Sequence, residues 1–186
     1  MILPSTIKKI EIEEKVIQLY DYEEKIKAEL EITNVEYPKI YEDAKDNFNF
    51  HDPYVNARVI PNTNFNGVKE MIICTGTLAE KINQIFGKII DRETFENAAE
   101  IYIKCTLVHE MVHVKQITEK TLTKDIYDRN KDLDPSKIEY EIEARNMSKH
   151  IVGREGIFAN EIITIILENI VIDYDIANNL TEKFKL

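Results

Sequence analysis

A long helical pattern in the middle of the sequence carries two histidines on its apolar side. It begins near Asp91 and continues through ETFENAAEIYIKCTLVHEMVHVKQITEK. Residues at helical spacing form one stripe along it, namely Ala98, Tyr102, Cys105, His109 and Val112. The stripe predicts a helix that packs into the core, with the turn that contains both histidines facing inward.

Two short segments before this helix predict strands. Residues 55–61 (VNARVIP) and 68–75 (VKEMIICT) are rich in β-branched side chains, and the turn-forming loop NTNFNG separates them. This arrangement is typical of an antiparallel β-hairpin. The segment TLAEKINQIFG follows as a helix that Gly87 ends.

Helical patterns flank this centre on both sides. The first segment, STIKKIEIEEKVIQLYDYEEKIKAELEI, predicts one long N-terminal helix with an exposed outer face, and the turn-rich segment after it has room for a short helix after Pro38. Downstream, Asp134 and Pro135 predict the N-cap and first position of another helix, which Gly153 ends. The remaining residues are mostly helical and supply apolar side chains to the core.

The length and the order of these patterns predict one α+β domain, mainly helical, with a small antiparallel sheet before the central helix. A chain of 186 residues is long enough for a single core. Within residues 1–186 we expect an N-terminal helical segment (1–50), a core that holds the candidate site (54–152) and a C-terminal helical segment (153–186).

Charge and apolar content exclude several classes of partner. A formal net charge of -10 leaves no basic stripe for nucleic acid. The N-terminus lacks the layout of a secretory signal, and no apolar run reaches the roughly 18 residues of a membrane span. Cys74 and Cys105 are too few for a disulfide framework, and they do not indicate a cysteine-based zinc site. We therefore expect a cytoplasmic protein whose partners include neither nucleic acid nor a membrane.

The two histidines of HEMVH have the spacing of zinc ligands. His109 and His113 are four residues apart, so on a helix they project from one face within reach of one ion. Glu110 is rotated by about 100° from His109 and can reach a water on that ion more easily than the ion itself. This arrangement predicts one Zn²⁺ per chain and hydrolysis of peptide bonds, with Glu110 as the catalytic base.

A catalytic zinc needs a third protein ligand and an open fourth position. The other two histidines, His51 and His150, lack the spacing of a three-histidine site, and we expect them in a loop and at the surface. The predicted helix KIEYEIEAR offers Glu139, Glu141 and Glu143, which follow His113 at a separation that allows an antiparallel return. Spacing alone leaves all three carboxylates open.

With a second motif on that helix, Glu141-Ile-Glu-Ala144, the chain resembles the gluzincin metallopeptidases. The segment VNARVIPNTNFNGVKEMIICTGTLAEKI is similar to the strand pair of the CAAX-prenyl-protease-like family and its minimal soluble relatives, the minigluzincins. The separation of the two motifs also resembles that of ImmA/IrrE-type peptidases. The likeness covers roughly residues 54–152, and it implies a zincin-like fold in which Glu141 is the third zinc ligand.

The resemblance also assigns substrate binding to the edge strand of the sheet, which takes the backbone of a peptide or protein substrate as an extra strand. The residues at that position are Asn56, Ala57, Arg58 and Val59. The chain departs from the family pattern at Arg145, where an acidic residue often orients a zinc-bound histidine. Either Glu143 or another acid has that role, or the register is shifted and Glu143 is the ligand.

Peptide hydrolysis further requires a group that stabilises the oxyanion. The candidates are Tyr140, His150, Arg145 and Tyr127. We expect Cys105, on the same stripe as His109, to be a small core residue.

Two other functions compete with a zinc-dependent metallopeptidase. One is a non-catalytic zincin-fold module for binding or regulation, and the other is a metal-free helical interaction protein. Retention of Glu110 favours the enzyme, because a closed structural zinc site has no use for a base beside its ligand.

Overall fold

A computed structural model of the chain describes residues 5–42, 56–168 and 170–184. The α-helices in these residues are α1 (Lys9–Gln18), α2 (Tyr20–Glu29), α3 (Thr75–Phe86), α4 (Arg92–Thr118), α5 (Lys124–Asn130), α6 (Glu139–Gly153), α7 (Ile157–Leu167) and α8 (Tyr174–Lys183). A short 3₁₀ helix spans Pro135–Lys137, and the strands are β1 (Lys39–Glu42), β2 (Ala57–Pro61) and β3 (Val68–Cys74). The expectation of a mainly helical α+β chain with a small sheet is confirmed.

The sheet has the order β1-β3-β2 and is mixed. The predicted hairpin is confirmed, since β2 pairs with β3 antiparallel and Val59 lies opposite Met71. The expectation of a purely antiparallel sheet is wrong, because β1 pairs with β3 in parallel, with Lys39 opposite Met71. The short helix expected after Pro38 is therefore a strand, and the Pro38 carbonyl accepts the Met71 N–H at 2.9 Å. Pairing of the second side of β3 outweighs the local turn-rich composition.

The N-terminal segment forms two helices in place of the single long helix predicted. The chain breaks at Leu19, whose φ of -82° and ψ of 13° lie outside the helical range. The break lets each short helix pack against a different neighbour, α1 against α3 and α2 against α4. The segment expected to be helical over residues 1–50 thus contains α1, α2 and β1 in its described part.

A buried carboxylate ties α2 to β1. Glu23 is only 3% exposed, and its side chain accepts a hydrogen bond from the Tyr37 hydroxyl at 3.1 Å. Its second oxygen pairs with the Lys39 ammonium, and Lys27 lies 3.8 Å from the first. Two cations and a hydroxyl therefore satisfy this buried charge.

Helix α4 lies at the centre of the fold. Asp91 caps its N-terminus by accepting the backbone N–H of Thr94 at 2.8 Å. The helix packs against α6, α7, α3 and the edge strand β2, so nearly all of its sides are buried. Large, fully buried side chains around it include Met71, Ile73, Leu78, Ile82, Phe86, Phe95, Leu107 and Met111.

Helix α6 begins later than predicted. Asp134 does act as an N-cap, and it accepts the Ser136 N–H at 2.9 Å, but the turn that it caps is the 3₁₀ helix. Ile138 is extended and 5% exposed, so it anchors the chain before α6 starts at Glu139. Glu141 consequently lies in the first turn of α6. The predicted end at Gly153 is confirmed.

None of the helices in the described ranges combines the length and the apolar content that a membrane crossing requires.

Candidate metal centre

The two histidines of α4 present their Nε2 atoms to the same point. The Nε2 atoms of His109 and His113 are 3.1 Å apart, and the ring centroids are separated by 4.7 Å in a T-shaped arrangement. One turn of helix produces this approach because residues at i and i+4 lie on one face. The side chain of His113 is nearly buried, with 10% of it exposed, while 24% of the His109 side chain is exposed.

Helix α6 brings a carboxylate to these two nitrogens. Glu141 Oε2 lies 3.3 Å from His109 Nε2 and 3.5 Å from His113 Nε2. Glu141 can reach this point because it shares a face of α6 with the buried residues Ala144 and Ser148, and this face packs against α4. Glu139 and Glu143 lie on other sides of the helix, and both are exposed.

The three atoms fit a metal ion by spacing and by chemistry. Ligands at zinc distances of about 2.0–2.2 Å in a tetrahedron would be roughly 3.3–3.6 Å from one another. The separations of 3.1, 3.3 and 3.5 Å are close to that range. His109, His113 and Glu141 form the group of metal-binding side chains found in the described part of the chain. Two imidazoles and one carboxylate are a typical catalytic zinc set with a fourth position left for water.

Gln116, which the sequence analysis did not single out, holds the second nitrogen of His113. Its Oε1 lies 2.8 Å from His113 Nδ1, and its Nε2 donates to the Tyr140 carbonyl at 3.1 Å and to Glu143 Oε2 at 2.8 Å. The structure therefore places Glu141 at the histidines and directs Glu143 to Gln116. A signal existed in the sequence, because Gln116 follows His113 by three residues and so lies on the same side of α4.

The electrostatics of the site favour positive charge between Glu141 and the histidines. Burial lowers the pKa of His113, but the hydrogen bond to Glu141 and the charges of Glu110 and Glu141 outweigh it and raise this pKa to about 9. Burial acts to raise the pKa of Glu141, yet hydrogen bonds from His109 and His113 hold it far below its ordinary value. Either a proton or a metal cation can supply the charge that these groups attract.

Glu110 lies beside this group and contacts the edge strand. It is 5% exposed, and its carboxylate accepts a hydrogen bond from the backbone N–H of Val59. Burial raises its pKa, although the charges of His109 and His113 act in the opposite direction. A carboxylate with a raised pKa is suited to exchange protons near neutral pH.

The register of β2 shows which of its backbone groups face outward. The Cys74 N–H donates to the Asn56 carbonyl at 2.9 Å, so residue 56 is a hydrogen-bonded position of the ladder. Alternation then directs the backbone groups of Ala57 and Val59 away from β3. The backbone N–H and C=O of Arg58, which lies opposite Ile72, face β3. The side chain of Asn56 is directed elsewhere, and its amide donates to the Tyr102 hydroxyl at 3.2 Å.

One of the four candidate oxyanion-stabilising residues lies against the triad formed by His109, His113 and Glu141. The ring of Tyr140 packs on that of His113 with 5.9 Å between centroids. Burial raises the pKa of its phenol to about 12, with further contributions from Glu141 and Tyr127, so the hydroxyl remains a donor at neutral pH. Tyr127 is exposed and packs on Phe65, at 5.8 Å between centroids.

The two remaining candidates, Arg145 and His150, lie further along α6 than Glu141. Arg145 is close to Asp134, where its charge adds to the Ser136 hydrogen bonds that lower the pKa of that carboxyl. His150 is at the exposed surface, in a groove on the outer face of α6. The other histidine considered, His51, lies outside the described residues, as do residues 54–55 of the expected core.

Both cysteines have raised thiol pKa values. Burial, together with the charge of Glu155, raises that of Cys105 to about 12, and Cys74 is fully buried with a thiol pKa of about 11, raised mainly by burial. Cys74 is buried and Cys105 is partly buried against the core, and protonated thiols in such positions behave as small apolar residues.

Comparisons of the chain with protein-family models, with curated proteins and with solved structures gave no match.

Proposed function

We propose that this chain is a zinc-dependent metallopeptidase with a zincin-like fold, in which His109, His113 and Glu141 hold one Zn²⁺. The observation that carries the proposal is the convergence of three zinc-type donor atoms, contributed by two helices, at tetrahedral spacing. The partial exposure of His109 and Glu141, each with 24% of the side chain accessible, supports a catalytic site over a closed structural one.

Zinc bound there would lower the pKa of a coordinated water and polarise a substrate carbonyl. The chain itself supplies the proton transfer. Glu110 is buried next to the triad with a raised pKa, so its carboxylate can accept a proton from the attacking water and later deliver it to the leaving amine. A general base of this kind contributes typically about 10²–10⁴-fold to the rate.

The edge strand β2 supplies the binding surface for an extended peptide. It has β3 on one side and lies along α4, so the outward N–H and C=O of Ala57 and the outward C=O of Val59 can pair with a substrate backbone. The Val59 N–H donates to Glu110, so β2 lies beside the proposed base. Tyr140 is the best-placed donor for the developing oxyanion because its ring contacts His113.

The metal content of the purified chain and of three glutamate variants tests this proposal. After dialysis against trace zinc, we expect one zinc per chain in the unsubstituted protein, in Glu139→Gln and in Glu143→Gln. Glu141→Gln should lose more than about 100-fold in zinc affinity, beyond what outer-sphere residues contribute. All three residues lie within two turns of α6. A glutamine at position 143 keeps an oxygen that can accept the hydrogen bond from Gln116, so Glu143→Gln is a fair control for Glu141→Gln.

Zinc binding and hydrolysis are read separately. Cleavage of a fluorogenic peptide library should disappear with a chelator and return when zinc is added back. Zinc at full occupancy without cleavage of any peptide or protein would support the non-catalytic zincin-fold module. Absence of zinc in the unsubstituted chain would overturn the proposal and favour the metal-free interaction protein.

A further inference from the structure

We infer that Gln116 is a positioning residue for the metal centre. Its side chain holds His113 in the tautomer whose Nε2 lone pair is directed at the metal. Glu143 and the Tyr140 carbonyl hold the Gln116 side chain in turn. This inference rests on the proposed function, since it concerns how the chain prepares a zinc ligand. It also explains how His113 can be oriented although Arg145 occupies the position where the families that the chain resembles often have an orienting acid.

The orientation of the Gln116 amide follows from its partners. Its Nε2 faces the Tyr140 carbonyl oxygen at 3.1 Å and Glu143 Oε2 at 2.8 Å. Both of these atoms are acceptors, so the nitrogen end of the amide must point toward them. The Oε1 end is thereby directed at His113, 2.8 Å from Nδ1.

This orientation determines the histidine tautomer. An amide oxygen can only accept, so His113 Nδ1 must carry the hydrogen. A neutral imidazole with hydrogen on Nδ1 has its lone pair on Nε2, the atom that faces His109 and Glu141. Metal-bound histidines usually have their other nitrogen fixed in this way by a carboxylate, a carbonyl or water. Here a neutral amide has that role.

Burial makes the arrangement rigid and specific. Gln116 is 3% exposed, and its side-chain oxygen and both amide hydrogens have partners. A buried amide is costly unless its hydrogen bonds are made, so the three contacts support one another. They also join α4 to α6 next to the metal ligands on both helices, since Tyr140 and Glu143 flank Glu141 in sequence.

Four variants test the inference through zinc affinity, measured by competition with a chromophoric chelator. Gln116→Met keeps the length of the side chain and removes its hydrogen bonds, and we expect a 10- to 100-fold loss of affinity. Gln116→Glu places a carboxylate against Glu143 and should also weaken binding. The double variant Gln116→Glu/Glu143→Gln keeps an acceptor for His113 and replaces the facing carboxylate with a donor from position 143. It should therefore bind zinc more tightly than Gln116→Glu, although the Tyr140 carbonyl lacks its donor in both variants. Gln84→Met, at an exposed glutamine of α3, is the control and should bind as the unsubstituted chain does.

A second measurement reads the tautomer directly. In the zinc-loaded protein, ¹⁵N chemical shifts of His113 should show a protonated Nδ1 and a metal-bound Nε2, and the Nδ1 proton should exchange faster in Gln116→Met. Unchanged zinc affinity in Gln116→Met, or zinc bound through Nδ1, would overturn the inference while leaving the proposed function intact. Failure of the unsubstituted chain to bind zinc would instead overturn the proposed function. Rescue by the double variant separates positioning from a loss of folding.

Discussion

The pKa of Glu110 depends on influences that act in opposite directions. Burial favours the neutral acid, whereas the charges of His109 and His113 and the Val59 N–H favour the carboxylate. The raised pKa that results is the property required of a group that accepts and returns a proton. Because its carboxylate also bonds to β2, Glu110 links the metal site to the strand proposed to bind substrate.

Substitution of Glu110 by Gln should separate hydrolysis from metal binding. We expect Glu110→Gln to retain one zinc per chain and to lose about 10²–10⁴-fold in kcat, because an amide cannot accept the proton. Zinc content and peptide cleavage, measured on the same preparation, check this. Glu182→Gln, at an exposed glutamate of α8, is the control and should keep kcat. Full activity in Glu110→Gln would remove the base from the mechanism.

Single residues of the site differ in how far the sequence could predict them. The spacing of His109 and His113 places two nitrogens together by helix geometry alone. The choice among three glutamates depends on where α6 begins and on which face packs, although the stripe formed by Glu141, Ala144 and Ser148 was a usable signal. Gln116 was missed because its role depends on partners contributed by a different helix.

Among the elements, β2 is the one whose backbone has an assigned use. Its two sides are distinct, since alternate residues face β3 and the remaining ones face outward beside α4. A proline removes one backbone N–H, so its effect depends on which side that N–H faces. The neighbouring residues Ala57 and Arg58 therefore form a matched pair for proline substitution, because the N–H of Ala57 faces outward and that of Arg58 faces β3.

Ala57→Pro should mainly affect catalysis, whereas Arg58→Pro should mainly affect stability. Ala57→Pro removes an outward N–H at a residue that is 7% exposed, so we expect a smaller loss of stability than in Arg58→Pro, caused by the packing of the ring alone. We also expect a roughly tenfold lower kcat/KM for peptides. Arg58→Pro removes an inward N–H of the ladder and should lower the free energy of unfolding by about 1–3 kcal/mol. Urea unfolding and steady-state kinetics on both variants measure the two effects. Equal stability losses would mean that Ala57 does not face outward, and unchanged kcat/KM in Ala57→Pro would argue against substrate pairing at β2.

Elements with strong local signals were predicted well, and those that depend on tertiary partners were not. The hairpin, α3, α4 and the end of α6 follow from β-branched runs, turn residues, caps and helix breakers. Strand β1 has four residues in a turn-rich segment, and only its pairing with β3 makes it a strand. The break at Leu19 likewise reflects two separate packing surfaces, which a continuous amphipathic pattern does not reveal.

On the scale of the whole molecule, the site links α4, α6 and β2, so its charge state contributes to the stability of the fold. His113 is nearly buried between carboxylates, and its folded pKa of about 9 exceeds the ordinary value of 6.5. A group with a raised folded pKa stabilises the folded state fully below its unfolded pKa, and this contribution disappears as the pH rises through the folded pKa. Zinc requires the same nitrogen without its proton, so zinc binding removes this dependence.

The stability of the protein should therefore fall with rising pH in the absence of zinc and stay nearly level in its presence. In excess chelator, we expect His113 to contribute up to about 3 kcal/mol near pH 6.5 and to lose it by about pH 9, so Tm falls. At constant buffered free zinc, the zinc affinity should rise by up to about tenfold per pH unit over this interval. This gain offsets the loss from His113, so Tm should stay nearly level. Thermal unfolding between pH 6 and 9 under both conditions measures these slopes. His113→Gln should flatten the zinc-free profile and weaken the effect of zinc, whereas His150→Gln, at an exposed position, should leave both profiles unchanged. Parallel slopes with and without zinc would show that His113 is not the group that exchanges a proton for the metal.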